Sequence, residues 1–358
     1  MKKLLSAMLL VAMTAVLFSS CSKKNNTTPT VRYDYNLDEY ITLCDYTGIP
    51  IKTFSDEVTR DDIETQILLC RIQFADSKEI TERAAEKYDK VNIDYTGYMN
   101  GELFENGTAK DQELVLGSGS FIPGFEDGLL GIMPGETVTL DLVFPTPYPN
   151  NPDIAGKAVV FVVTVNKIYE LDMPEYNDEF VKSNYKYSTT EDFEDAVKKQ
   201  LQASMTKKKT QYETSQVLDY VLDNTTVNKY PQKEYDELYS DSIEYYDYYA
   251  SQADMKIEEY AINKLSYKTY DDFLADIVVK TKEYMKEEMV LYMIARRENI
   301  TVSDDEYKSK ALEYAQYYGL ASVEAIEQYI EPATIRENIL FDKVMTFLAD
   351  KAVKTAEE

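Results

Sequence analysis

Residues 91–168 carry the pattern that most restricts what this chain can become. Val91, Ile93 and Tyr95 alternate, then come Thr96-Gly97 and Gly101-Glu102-Leu103-Phe104-Glu105-Asn106-Gly107, which the period of two reads as strand, turn and strand. Met133-Pro134-Gly135-Glu136 is turn chemistry, because Pro fixes φ and Gly accepts φ > 0. Val138, Leu140 and Leu142 then alternate, the cluster from Pro145 to Pro152 breaks the strand, and the apolar run 158–165 reads as a buried one. Between these strand groups stands Phe121-Ile122-Pro123-Gly124-Phe125-Glu126-Asp127-Gly128. A period of two does not suit a helix, so residues 90–170 are expected to form a compact β domain.

The front of the chain is a separate matter. Lys2-Lys3, the apolar run from Leu4 to Phe18 and the small pair Ser19-Ser20 have the three-part form of a secretory signal, and the apolar run is too short for a membrane span. Cys21 and the polar spacer Ser22-Lys23-Lys24-Asn25-Asn26-Thr27-Thr28-Pro29 follow, and together they resemble the lipobox and tether of bacterial lipoproteins. Phe18 departs from that pattern, since Leu is usual three residues before the cysteine. The resemblance implies that Cys21 is lipidated and becomes the mature N-terminus, anchoring an extracytoplasmic protein to the cell membrane. Several acyl chains anchor firmly where a single one binds only marginally. The alternative is an ordinary signal with an incidental cysteine.

Composition narrows the chemistry. The chain has 358 residues, room for two or three domains, and its 44% hydrophobic content is that of a folded protein. With 64 acidic against 38 basic residues the net charge is −26, so nucleic acid and anionic headgroups are not expected partners. Such a surface serves solubility first and attraction of basic clients second. There is no histidine, which removes Ser-His and Cys-His catalysis, and the three cysteines are too scattered for zinc, so neither metal nor cofactor is expected. Cys44 and Cys70 are open both to pairing in an oxidising compartment and to standing as two small buried thiols.

In order, residues 1–20 are expected to be a signal peptide and 21–56 a lipid-anchored tether whose Tyr-, Thr- and Ile-rich part, 31–50, is an extended segment or short hairpin, a spacer that becomes ordered near the globular body. Residues 57–89 hold a linker helix opened by a capping box at Thr59 and Asp62, with Ile63, Ile67, Cys70 and Phe74 at helical spacing. Leu171-Asp172-Met173-Pro174-Glu175 closes the β domain at about residue 170. Residues 171–358 read as a domain of about six helices by capping and periodicity. Ser188-x-x-Glu191, Thr269-x-x-Asp272 and Ser303-x-x-Glu306 look like capping boxes, and Phe193, Val197, Leu201 and Phe273, Ile277, Met285, Met289, Tyr292 form apolar stripes. Asn228-Lys229-Tyr230-Pro231 and Asn299-Ile300-Thr301-Val302 read as connections. Of the 31 tyrosines, 22 lie between Tyr176 and Tyr329, most densely at Tyr245-Tyr246-Asp247-Tyr248-Tyr249. They are open to two readings, an amphipathic binding surface helped by Met255, Met285, Met289 and Met293, or ordinary core and boundary positions.

The run from Phe121 to Gly128 resembles the central signature of FKBP-type peptidyl-prolyl isomerases. Around it, Arg83-Ala84-Ala85-Glu86-Lys87-Tyr88-Asp89, Met173-Pro174-Glu175-Tyr176-Asn177-Asp178-Glu179-Phe180, Asn228-Lys229-Tyr230-Pro231 and Arg296-Arg297-Glu298-Asn299-Ile300-Thr301-Val302-Ser303 occur in the order seen in trigger factor. Trigger factor also has a ribosome-binding domain with a Gly-Phe-Arg loop, and that tripeptide does not occur here, so the ribosome is not an expected partner. The resemblance implies an α+β multidomain protein, with an FKBP-like antiparallel sheet wrapped on a short helix and a mostly α-helical client-cradle domain.

It further implies that Tyr95, Phe104, Phe121, Ile122, Phe125, Tyr148 and Phe161 line a pocket for the substrate proline, with Glu105 where Asp is usual. Phe125 holds a floor position that is Trp in many FKBPs, a change also seen in trigger factors. The expected activity is cis-trans isomerisation of X-Pro bonds in unfolded or newly exported polypeptides, combined with chaperone holding. The Ile122 N–H and Tyr148 hydroxyl are the candidates to hold substrate carbonyls, and Glu105 either orients the wall, accepting from Tyr95, or stands as a solvated rim carboxylate. A holdase whose isomerase domain only docks clients is the alternative. A surface adhesin or solute-binding lipoprotein fits the anchor but not the internal signatures.

Overall fold

The computed structural model describes residues 32–146, 148, 151 and 154–356, and of Glu105 the backbone alone. The chain divides into two compact units, one built of residues up to 51 together with 214–353, the other of 52–213 with the segment from 354 onward.

In the second of these, helix α1 (Arg60–Ile72) opens with the expected capping box: the Thr59 hydroxyl accepts from Asp62 N–H while the Asp62 carboxylate accepts from Thr59 N–H. Its buried Ile63, Ile67 and Cys70 pack with Phe180 and Val181 of α2 (Asp178–Tyr185) and with Phe193 and Val197 of α3 (Thr190–Asn224). The cap of α3 is Thr189, whose hydroxyl accepts from Asp192 N–H, and not Ser188 as the sequence suggests. Both carry the hydroxyl signature; Asp178 decides, because it binds Thr190 N–H at 2.8 Å and so starts the helix one residue later.

The strands of the five-stranded sheet are β1 (Asp76–Ile80), β2 (Lys90–Met99), β3 (Glu102–Val115), β4 (Thr137–Val143) and β5 (Ala158–Asp172), all pairing antiparallel. β5 is central. One of its sides takes β2, from Ile168 opposite Val91 to Val160 opposite Tyr98, and β3 lies beyond β2. The other takes β1 opposite residues 168–172 and β4 opposite 158–164. Val159, Phe161, Val163 and Val165 alternate into the core, where they meet Val91, Ile93, Leu114, Phe125 and Leu129. The turn between β2 and β3 is not at Thr96-Gly97, which continues the strand. It is Asn100-Gly101, at φ 53° and 82°, a two-residue hairpin that needs φ > 0 at both positions. The short helix under the sheet is a single 3₁₀ turn, Asp127–Leu129.

The helical unit is built on α6 (Tyr270–Arg297), which is buried nearly all round from Met285 to Ala295. Helices α4 (Gln232–Gln252), α5 (Ile257–Asn263), α7 (Asp304–Tyr317), α8 (Val323–Ile326) and α9 (Pro332–Lys351) complete it. The capping boxes at Thr269 and Ser303 form as read. Residues 171–356 thus hold eight helices among the described residues, where the stripes suggested six; the extra ones are short.

The segment read as a spacer is core. Tyr33, Leu37, Ile41 and Ile49 are at most 3% exposed and pack with Met285, Met289, Phe341 and Val344. Tyr33, Leu37 and Ile41 give α6 part of the apolar cover that a helix buried nearly all round requires. Arg296 donates to the carbonyls of Tyr33 and Tyr35. Met285, Met289 and Met293 are likewise core and not adaptable surface. Tyr246 packs edge-on to Phe273, and Tyr245, Tyr248 and Tyr249 are half-buried, which places this cluster at the boundary of a small core. Cys44 and Cys70 are free thiols.

Glu287 and Glu288 on α6 are 4% and 1% exposed. Burial, reinforced by nearby Asp219, pushes the Glu287 carboxyl up to about 7. Burial raises Glu288 as well, opposed by Arg32 and reinforced by Glu337, while the Tyr33 hydroxyl donates to it at 2.9 Å. A carboxyl with a raised folded pKa takes up a proton on folding; its stabilisation is complete below its ordinary value and is lost as pH rises through about 7. No histidine titrates alongside. Thermal unfolding of the helical unit should therefore fall in temperature from pH 6 to pH 8, with Glu287 alone contributing about 1 kcal/mol. Glu287→Gln should flatten that dependence, and a wild-type Tm that is level or rises across the interval contradicts the assignment.

Candidate proline-binding site

The sheet and the segment 117–129 bring all seven described candidates into one apolar cluster. β2 supplies Tyr95, β3 Phe104 and β5 Phe161; the segment between β3 and β4 supplies Phe121, Ile122 and Phe125, and the segment after β4 supplies Tyr148. Phe125 is fully buried and stacks on Phe121 at 4.3 Å between ring centroids. Tyr95 meets Phe121, Phe125 and Phe161 edge-on at 5.6, 5.9 and 5.9 Å. Phe125 meets Phe161 at 5.3 Å and Phe104 meets Phe161 at 6.1 Å. Edge-on packing sets the positive rim of one ring against the negative face of the next, so the set holds its shape beyond what burial alone gives.

Tyr95, Phe104, Phe121, Ile122 and Tyr148 are half-buried, so each keeps part of its surface available. Partial burial raises the Tyr95 hydroxyl above its ordinary pKa and keeps it neutral. The arrangement offers an apolar surface with phenolic donors and no nucleophile, and what such a surface can do is replace water around an uncharged group. Of the sequence-stated candidates, the Glu105 side chain, Cys21 and the leader lie outside the described residues.

Sequence reasoning missed three features of the cluster: Phe144, the glycine pair at 97 and 107, and Glu126. Phe144, 5% exposed, links Tyr148 at 5.2 Å to Phe104 at 6.0 Å. The alternation of Val138, Leu140 and Leu142, carried one step further, arrives at it. Gly97 follows Tyr95 on the inward face of β2, and a Cβ there would stand 2.5 Å from the Phe104 ring and 2.7 Å from the Phe161 ring. A glycine at an inward strand position is the signal for such an approach. Gly107 lies equally close, 2.7 Å from the Phe104 ring by the same measure, so the ring is seated between two glycines. The third feature is Glu126, whose buried carboxylate accepts from the backbone N–H groups of Gly117, Gly119, Ser120 and Phe121.

Comparison with known proteins agrees with both parts of the architecture. Residues 81–166 match the family model described as FKBP-type peptidyl-prolyl cis-trans isomerase, and residues 189–350 match that of the bacterial trigger factor protein C-terminus. The trigger factor of Limosilactobacillus fermentum is 29% identical over 318 residues, covering 88% of this chain and 72% of its own length. That of Halothermothrix orenii is 30% identical over 317 residues, covering 87% and 72%. A solved structure of a trigger factor chaperone, described for promiscuous substrate recognition in folding and assembly, aligns at 20% identity and a TM-score of 0.42, covering 87% of this chain and 72% of its own.

The seating of Phe104 gives a direct test. Gly97→Ala must push the Phe104 and Phe161 rings apart, and overpacking of this kind costs about 1–3 kcal/mol in denaturant unfolding followed by circular dichroism. Adding Phe104→Leu should recover part of that loss, because the two sites share one contact. A single variant within about 0.5 kcal/mol of wild type means that the rings yield freely.

Proposed function

Because this chain belongs to the trigger factor family, we propose that it is a foldase, a chaperone that holds unfolded or newly exported polypeptides and isomerises their X-Pro bonds at the aromatic cluster of residues 90–170. The observation that carries the reading is the convergence of Tyr95, Phe104, Phe121, Ile122, Phe125, Tyr148 and Phe161 from separate elements on one apolar surface.

The reaction asks little of acid or base. Rotation about an X-Pro amide is slow because resonance must be given up, a barrier of roughly 18–20 kcal/mol, and uncatalysed exchange takes tens to hundreds of seconds. A twisted amide is less polar across its C–N bond than a planar one. A pocket that replaces water with rings therefore favours the transition state over the ground state. In this reading Phe125 and Phe161 form the floor and Tyr95, Phe104 and Phe121 the walls. The Ile122 N–H and the Tyr148 hydroxyl hold the substrate carbonyls. No metal or cofactor takes part.

The leader and Cys21 support an extracytoplasmic setting, in which the lipidated cysteine ties the chain to the membrane and the ribosome is not a partner. The 21–56 segment then serves a second purpose, since its latter part is built into the helical core.

A protease-coupled assay on proline peptides tests the chemistry: the mature chain should accelerate exchange, and Phe104→Ala with Tyr148→Phe should abolish at least about 90% of it. Absent activity leaves a holdase and not an isomerase, and activity that survives both changes does not arise at this aromatic cluster. The anchor is tested by fractionation of cells expressing the full chain. Cys21→Ala should move the protein from the membrane to the soluble fraction, and an unchanged distribution rules out lipidation at Cys21 as the tether.

A further inference from the structure

Glu126 is 8% exposed, and five donors converge on its carboxylate. Gly117 and Gly119 N–H donate to one oxygen at 2.7 and 3.1 Å; Ser120 N–H, Phe121 N–H and the Ser118 hydroxyl donate to the other at 2.8, 3.2 and 3.3 Å. Positive φ at Gly117 and Gly119, 89° and 68°, turns the amides of residues 117 and 119–121 toward one point, which makes a backbone nest for an anion, while Ser118 N–H goes to the Val115 carbonyl. The anion is supplied by the chain itself, from five residues beyond Phe121.

Only a carboxylate has acceptor capacity for this set, since an amide at the same place would offer one oxygen and two donors. The nest ends where the pocket begins. Phe121 N–H is the last amide taken, and its ring stacks on Phe125 and meets Tyr95. The next amide, Ile122 N–H, has no acceptor among the described residues, while the Ile122 carbonyl accepts from Phe125 N–H at 3.1 Å.

We propose that Glu126 is a positioning residue for X-Pro isomerisation: by binding the amides up to Phe121 it fixes the Phe121 ring and leaves the Ile122 N–H as the donor that meets the substrate carbonyl. This rests on the isomerase reading of the pocket. Glu126 itself does not touch the substrate, and its effect passes through the backbone of residues 117–122.

The test uses the mature chain labelled with ¹⁵N-isoleucine and a Leu-Pro peptide. Glu126→Gln should raise KM about tenfold while kcat stays within about twofold, because the Ile122 bond is made in ground state and transition state alike. It should also shift the Ile122 amide resonance of the free protein. Glu126→Asp, which keeps the charge, should recover part of both effects and replaces Glu126→Gln if that variant does not fold. Val91→Ala destabilises the same core away from the pocket and should leave KM unchanged. If Glu126→Gln lowers stability but leaves KM and the Ile122 resonance at wild-type values, Glu126 is only a structural staple and the proposal falls. A wild-type chain that does not isomerise, yet whose Ile122 resonance responds to the peptide while that of Glu126→Gln does not, overturns the isomerase reading and upholds the positioning role.

Discussion

The ladder of β5 is the constraint on which the sheet and its pocket depend. One strand of fifteen residues hydrogen-bonds to β2 along one side and to β1 and β4 along the other. Its period of two sends Val159, Phe161, Val163 and Val165 inward together, so a slip of one residue would turn all four to the outer face. Phe161 then sits at the centre of the aromatic cluster, because Phe125, Tyr95 and Phe104 are each packed against it. The glycines at 97 and 107 matter only because that register brings the rings so close.

An acidic chain must manage the carboxylates it buries, and this one does so in different ways. Glu126 is surrounded by backbone donors and is a satisfied charge. Glu213 is held by the Thr53 hydroxyl and the Lys354 ammonium. Glu287 lies in an apolar helix face near another acid, so burial favours its neutral form. The same residue type is thus an organiser of the pocket in one unit and a source of pH sensitivity in the other. Local partners decide which, and the residue type does not.

The trigger factor family joins a proline isomerase fold to a helical body in one chain, and here each has its own core. The boundary between compact units does not follow the boundary between sheet and helices, since α1, α2 and the first part of α3 pack together beside their own apolar cluster. Residues 32–51 belong to the helical unit, where Tyr33, Leu37, Ile41 and Ile49 lie in the core.

What the sequence determined by itself is what short-range chemistry controls. The alternation of residues 91–95, 138–142 and 158–165 specified strands, because side chains two apart must share a face. The capping boxes at Thr59, Thr269 and Ser303 specified helix starts, since each satisfies its own amides within four residues. The family signature named the seven aromatic and aliphatic residues, from Tyr95 to Phe161, that the fold gathers into one apolar cluster. Tertiary structure alone decided the rest. β1 is polar except for Ile80 and is a strand because β5 offers an unpaired edge. Thr189 outcompeted Ser188 because Asp178, twelve residues from Thr190, binds the Thr190 amide. Residues 32–51 became core because α6 needs cover on every side. Glu126 reads in sequence as one acid among 64, and its weight comes from four amides that only the folded loop turns toward it. Each of these depends on a partner brought near by the fold, and periodicity carries no information about such partners.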